Sequence, residues 1–305
     1  MGDRSVKVEA GRAETPAVSL APASIGRLAG RGGWAGPLRA AFGRIDPLGI
    51  FGVVLFVLVW QVMTAFLPAI SLPTPLGVAL RIKSDFWLAP ELKSYGLPDT
   101  GLFNSMVYTA SNVLLAVGLG SLFGTVAGLV TARFELARSV LDPVLMTVGT
   151  IPMLVLAPFF LIWFGVGRVN ALLLVVIYVS VILYVFAQRA AHNLDPVYEE
   201  SAYTLGASPG RIVRDILIPG TVPQIIGGIR IALAGAWGLE AIAELLGSQY
   251  GIGKIVQVLA GSTDEQGIVA ALVVLGLAAV LFDALASLAF SYVAKWNVSA
   301  KTGEG

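Results

Sequence analysis

The chain contains no cysteine and a single histidine, His192. Disulfides, thiolate metal centres and cysteine nucleophiles are therefore excluded, and so is a multi-histidine metal site. Charge is also scarce. Only 13% of the 305 residues are Asp, Glu, Lys or Arg, where a soluble domain carries about 25%. The net charge is +1, and nowhere do Lys and Arg cluster densely enough to neutralise a phosphate backbone, so nucleic acid is not an expected partner. The chain has no Gly-x-x-x-x-Gly-Lys-Ser/Thr loop and hence cannot cradle ATP in that way. No nucleophile–base–orienter set stands out, and an enzyme is not expected.

What the chain has is apolar length. Hydrophobic residues make up 56% of it and the mean hydropathy is +0.83, which places it among integral membrane proteins. A helix needs about 20 apolar residues to cross the hydrocarbon core. Segments of that kind are read at residues 49–67, 105–132, 143–164, 169–187, 222–246 and 267–294. All must be helical, because lipid leaves open backbone amides unsatisfied. The expected fold is thus an all-α integral membrane protein with six transmembrane helices.

Residues 1–45 are rich in Ala, Gly, Arg, Ser and Pro without a sustained period, and read as a flexible cytoplasmic tail. Asp3, Glu9 and Glu14 argue against a transit peptide, and Val6 stands where myristoylation wants Ser or Thr. Orientation follows from Lys and Arg. With the N-terminus inside, Arg4, Lys7, Arg12, Arg27, Arg31, Arg39 and Arg44 fall in the cytoplasm, as do Arg133, Arg138, Arg189, Arg211, Arg214, Lys295 and Lys301. Only Arg81, Lys83, Lys93, Arg168 and Lys254 fall outside, so both termini are expected on the cytoplasmic side of a bacterial inner membrane. Two small-residue faces recur at four-residue spacing, Gly120/Gly124/Gly128 and Gly228/Ala232/Ala236. They are expected to pack helices closely rather than to mark a substrate site.

One connection does not suit a plain bundle. Between the fourth and fifth segments lie 34 residues, 188–221, where bundle connections usually take about 2–8. Asp195-Pro196 reads as an N-cap followed by Pro at the first helical position. Glu199 and Glu200 favour the positive end of that helix. Gly206 suits a left-handed stop, and Ser208-Pro209 repeats the start signal. Ile212, Val213, Ile216 and Leu217 supply an apolar face, and Pro219 is expected to end the run. The pattern describes two short helices with a sharp bend at 206–209. It suits equally a device that docks into a cytoplasmic partner and a helix pair resting on the headgroups.

The spacing within this element carries a resemblance. Glu200-Ser201-Ala202, three residues, Gly206, nine residues, then Ile216-Leu217-Ile218-Pro219 resembles the EAA loop of ABC importer permeases, with Ser201 in place of Ala and Ile218 in place of Leu. Leu72-Pro73-Thr74-Pro75, Ile151-Pro152, Ala157-Pro158, Trp163-Phe164-Gly165-Val166-Gly167, Ala243-Glu244-Leu245-Leu246 and Gly251-Ile252-Gly253 look most like the nitrate/sulfonate/taurine-type permeases. The likeness runs from about Trp60 to Trp296. It implies a type I importer permease domain over 46–305, whose coupling loop, about 190–221, docks on an ATPase through Glu200, Ser201, Ala202, Gly206, Ala207, Ser208, Pro209, Ile216 and Pro219. The implied partners are two ABC ATPase subunits carrying the ATP and Mg, a second permease copy, and an extracytoplasmic solute-binding protein. The implied cargo is a small anion such as a sulfonate, nitrate or bicarbonate, or a small heterocyclic precursor.

Charges inside the apolar segments are few, and each is a functional candidate by default. Trp237, Glu240 and Glu244 share a helical face and are candidates to line a translocation path or to cap and pair locally. Arg230 and Trp163 are candidates for the same path, Arg230 also for pairing with a carboxylate, while Asp283 reads as a helix-pairing residue. Two rivals stay open at this point. A secondary transporter expects midplane ion-coupling carboxylates or an inverted repeat. A membrane-embedded enzyme would have to use Glu240 and Glu244.

Overall fold

The computed structural model describes residues 47–67, 72–94, 96–97 and 101–293. The expected N-terminal tail and the C-terminal Lys295 and Lys301 lie outside them. Among the described residues every regular element is helical. In chain order these are α1 (Pro47–Met63), α2 (Pro75–Asp85), α3 (Pro90–Ser94), α4 (Leu102–Arg133), α5 (Glu135–Thr150), α6 (Met153–Phe164), α7 (Arg168–His192), α8 (Pro196–Thr204), α9 (Pro209–Ile212), a π-helical turn (Val213–Leu217), α10 (Ile218–Gly247), α11 (Ile252–Gly261) and α12 (Glu265–Val293).

The bundle is built around α7. Leu174, Val175, Val179, Leu183, Tyr184 and Ala187 have no solvent exposure, because α4 covers one side of the helix and α10 the other. The small-residue faces do what their spacing expects. A Cβ on Gly124 would lie 2.3 Å from the Ser180 carbonyl oxygen, and one on Gly128 would lie 2.6 Å from that of Tyr184. On the other side a Cβ on Gly228 would meet Phe186 at 2.7 Å, and Ala232 and Ala236 are fully buried. Large apolar side chains cover the outside instead: Phe51, Phe56, Leu122, Phe123, Ile162, Leu277 and Val280 are all exposed. A water-soluble monomer does not present such a surface.

Four of the six expected segments are long and apolar enough to span as single described helices: α4, α7, the run Pro209–Gly247 and α12. A fifth span results if α5 and α6 count as one, but they are bent by 100°. The expected straight span at 143–164 is therefore corrected. It joins the end of one helix to the whole of the next. The break falls at Ile151-Pro152, where Ile151 is extended (φ −77°, ψ 124°) because a residue preceding proline is pushed out of the helical region. The first segment forms a 17-residue helix, about 25 Å long, which is short for a core of about 30 Å. It has no buried residue, and Trp60 Nε1 donates to the Pro73 carbonyl at 3.0 Å.

The second correction concerns Pro219. The expected stop there does not occur, since α9, the π turn and α10 run on as one path of 39 residues. Proline in a regular helix clashes with the carbonyl four residues back. Here Ile218 N–H donates to the Val213 carbonyl, five residues back, and the widened turn makes room for the ring. The register shows the same step: the two buried residues, Ile212 and Leu217, are five apart rather than four.

Candidate functional site

Polar groups gather at the two ends of α7. At its C-terminal end lies the 195–219 element. Asp195 accepts from Val197 N–H at 3.0 Å and so starts α8. The helix stops at Gly206 with φ +82°, a left-handed conformation that costs any other L-residue about 1 kcal/mol, and Ala207 N–H closes back on the Ala202 carbonyl at 2.9 Å. Ser208 starts α9 through its backbone carbonyl, which accepts from Arg211 and Ile212. Its side chain makes no cap bond. Glu200, Ser201, Gly206, Ser208 and Pro209 are exposed, Ala202, Ala207, Ile216 and Pro219 partly so. The tip is apolar, with Leu205 88% exposed and Val197, Tyr198 and Tyr203 also open.

This element is braced. Arg133, the last residue of α4, donates to Glu199 Oε2 at 2.9 Å and to the Tyr203 hydroxyl at 2.7 Å. Beside it Asp142 of α5 accepts from Arg138, from Gln188 at 2.9 Å and from the Tyr184 hydroxyl. These bonds tie α4 to α8 and α5 to α7 under the loop. None of these braces stood out in the sequence, because each joins residues more than 40 positions apart except Arg138–Asp142. The Arg133–Glu199 pair is partly exposed, so its loss costs stability only ~1 kcal/mol. We expect Arg133→Ala to leave the folded protein intact but to raise tryptic cleavage at Arg211 about fivefold, the population change that such an energy allows. Cleavage at the wild-type rate would show that Arg133 does not hold the loop.

At the N-terminal end of α7 sits a buried carboxylate pair. Glu240 and Glu244 have no exposure. Glu244 accepts from the Thr109 hydroxyl at 2.9 Å and from Gly253 N–H at 3.0 Å. Thr109 Oγ1 in turn accepts from Ile252 N–H at 3.0 Å. The first two amides of α11, which have no partner within their own helix, are thereby satisfied from α10 and α4. Glu240 accepts from Asn112 Nδ2 at 2.8 Å, and Asn112 Oδ1 accepts from Arg168 Nε at 2.5 Å. Arg168 also reaches Ser111 and lies 5.8 Å over the Tyr108 ring. Gly251 (φ +100°) and Gly253 lie against this pair, since a Cβ on the first would be 2.2 Å from the Glu244 carboxyl carbon.

Of the five path candidates, Trp237, Glu240 and Glu244 therefore sit inside the bundle, with Trp237 only 3% exposed. They face no open surface of the chain: Glu244 accepts from the start of α11 and Glu240 from Asn112, while Trp237 Nε1 is buried without a hydrogen-bond partner among the described residues. Trp163 is 70% exposed and packs on Phe159 and Phe160. Arg230 is also open and pairs with Asp283 on α12, Nε to Oδ1 at 3.1 Å and Nη2 to Oδ2 at 2.9 Å. Sequence reading missed Thr109, Asn112 and Arg168. A signal did exist. Thr109 and Asn112 are polar residues three apart in an apolar helix, and Glu240 and Glu244 are four apart, so each pair shares one helical face. Among the described residues no group of three or more His, Asp or Glu is placed to hold a metal ion.

Comparison with known proteins accords with this geometry. The putative aliphatic sulfonates transport permease SsuC of Bacillus subtilis is 28% identical over 253 residues, covering 82% of this chain and 88% of that protein. The taurine transport system permease TauC of Escherichia coli is 27% identical, covering 62% and 68%. The nitrate import permease NrtB of Synechococcus elongatus is 28% identical, covering 66% and 72%. Among solved structures, the inward-facing MetNI methionine ABC transporter superposes with a TM-score of 0.53 at 20% identity, over 64% of this chain and 95% of that one. The last likeness speaks for the fold alone. Residues 120–297, more than half of the chain, match one family as a whole. The chain belongs to the binding-protein-dependent transport system inner membrane components, the permeases of ABC importers.

Proposed function

We propose that this chain forms, with a second copy of itself, the translocation path of an ATP-driven importer for a small oxyanion. Two separate ATPase subunits, which carry the ATP and Mg, receive the 200–219 loops. An extracytoplasmic binding protein delivers the solute, and both termini lie in the cytoplasm. The observation that carries the reading is the 195–219 element itself. It is capped at Asp195, turned at Gly206 and braced by Arg133, yet it ends in an uncovered apolar tip at Leu205. A rigid body with an exposed apolar end suits insertion into a cleft, and it can pass a displacement to α4 and α10. The sulfonate, taurine and nitrate names of the relatives above share small oxyanion cargo, which supports the substrate class.

The test is direct. Affinity-tagged permease drawn from native membranes should retain a protein that hydrolyses ATP. Glu200→Lys and Gly206→Asp should lose both that protein and solute uptake while inserting normally. A Cβ on Gly206 meets no atom within 4 Å, so the fold tolerates the change at a cost of ~1 kcal/mol. Uptake at the wild-type rate in either variant would refute ATPase docking through this loop.

A further inference from the structure

Two charged groups of the apolar helices, Glu240 and Glu244, are fully buried in the bundle. Arg230 and Asp283 pair with each other but are not buried. Their side chains remain 46% and 42% exposed. Arg230 lies twelve residues past Ile218, ~18 Å along α10. Asp283 lies ten residues before Val293, ~15 Å from the same end of α12. Both therefore lie within stretches whose length and apolar composition suit a hydrocarbon core of about 30 Å. A half-exposed ion pair at that depth is expensive against lipid, and such pairs face water or other protein.

The surface beside the pair is open. Ala234, one turn further along α10, is exposed, and a Cβ added at Gly227 or Gly238 would meet nothing within 4 Å. The pair also has a specific shape. Two oxygens of one planar carboxylate accept from two nitrogens on one edge of the guanidinium. That fork accepts any oxyanion with two oxygens in similar positions, such as a sulfonate, a carboxylate or nitrate.

We propose that this face is wetted and that Arg230 is a receiving group for the permeating oxyanion, with Asp283 as its resident competitor. In the empty protein Asp283 neutralises Arg230 and holds its fork in place. A passing oxyanion replaces the carboxylate, and the returning carboxylate releases it. Transit requires that balance, since a site must bind well enough to be entered and weakly enough to be left. The assignment rests on the oxyanion-import reading for its cargo, but its test needs neither ATPase nor binding protein.

The natural absence of cysteine makes the test clean. Single cysteines are placed by Ala234→Cys on the proposed face and by Leu122→Cys on the exposed apolar side of α4. Full-length protein in native membranes is then treated with an anionic sulfonate thiol reagent, methanethiosulfonate ethylsulfonate, and with its cationic trimethylammonium counterpart. Ala234→Cys should react with both and Leu122→Cys with neither. Adding Asp283→Asn should raise the anionic-to-cationic rate ratio roughly tenfold, the scale on which one uncovered charge steers a small ion. Millimolar methanesulfonate or nitrate should slow that anionic reaction. The paired neutral variant Arg230→Gln/Asp283→Asn should remove the preference while leaving Ala234→Cys reactive and the extracted protein monodisperse. Three results would overturn the proposal: Ala234→Cys as inert as Leu122→Cys, Ala234→Cys inert to both reagents but joined to a second copy on oxidation, or reactivity with no charge preference traceable to Arg230. Loss of ATPase retention in the loop variants bears only on the docking reading.

Discussion

Gly124→Leu is expected to eliminate folded protein from detergent extracts, with the monodisperse fraction falling at least tenfold. Even the first added carbon lies 2.3 Å from the Ser180 carbonyl oxygen and 2.9 Å from Leu183 Cβ. The nearer atom is backbone, so the strain cannot be relieved by a rotamer change. The helices must separate instead. Overpacking in a core costs about 1–3 kcal/mol when side chains can shift, and α7 carries the fully buried core on which α4 and α10 both pack. No hydrophobic drive pulls the helices together again, because lipid is as apolar as their side chains. Gly118→Ala supplies the control, since its Cβ would meet nothing within 4 Å. It should be neutral or stabilising by up to ~1 kcal/mol. A Gly124→Leu protein that elutes and melts like the wild type would show that α4 and α7 do not approach this closely.

Glu244→Ala is expected to be nearly as damaging, for the opposite reason. It leaves a hole and strands a donor. Gly253 N–H loses its acceptor, at about 1–3 kcal/mol for a buried group left unpaired, and the Thr109 hydroxyl keeps only the Ser105 carbonyl. A lowered thermal midpoint of the extracted protein would register the loss. Glu244→Gln keeps one acceptor oxygen and should cost clearly less. Thr109→Val removes the other half of the contact, so the double variant Thr109→Val/Glu244→Ala should lose less than the two single losses combined. Strict additivity would show that the two side chains do not act together. The same geometry bears on the membrane-enzyme alternative, since carboxylates with no exposed surface do not meet a substrate.

Much of this was legible from residues alone because it depends on local or one-dimensional rules. Apolar length marked the membrane helices, four-residue spacing of small residues marked the faces of α4 and α10 that meet α7, and Asp195-Pro196, Gly206 and Ser208-Pro209 marked the start and stop of α8 and the start of α9. Each of these is set by backbone geometry within a few residues. The errors have equally local causes. Ile151-Pro152 was read as the interior of a span because its flanks are apolar, although proline acts on the residue before it. Pro219 was read as a stop because a π turn, which moves the proline out of conflict, leaves no signature in hydropathy.

The sequence by itself determined that this protein lives in a membrane, that it is helical, and that it carries a bent helix pair between two of its apolar segments. Those properties follow from side-chain solubility, hydrogen-bond supply and fixed spacing. Only the tertiary structure decided which charges are fastened and which stand open. Glu240 and Glu244 were equally candidates to line a path or to cap and pair locally, and Arg230 was one candidate among several. Packing placed the first two against Thr109, Asn112 and α11, and left Arg230 and Asp283 uncovered on neighbouring helices. The reason is physical: a helix period says which residues share a face, whereas what that face meets depends on residues of other helices.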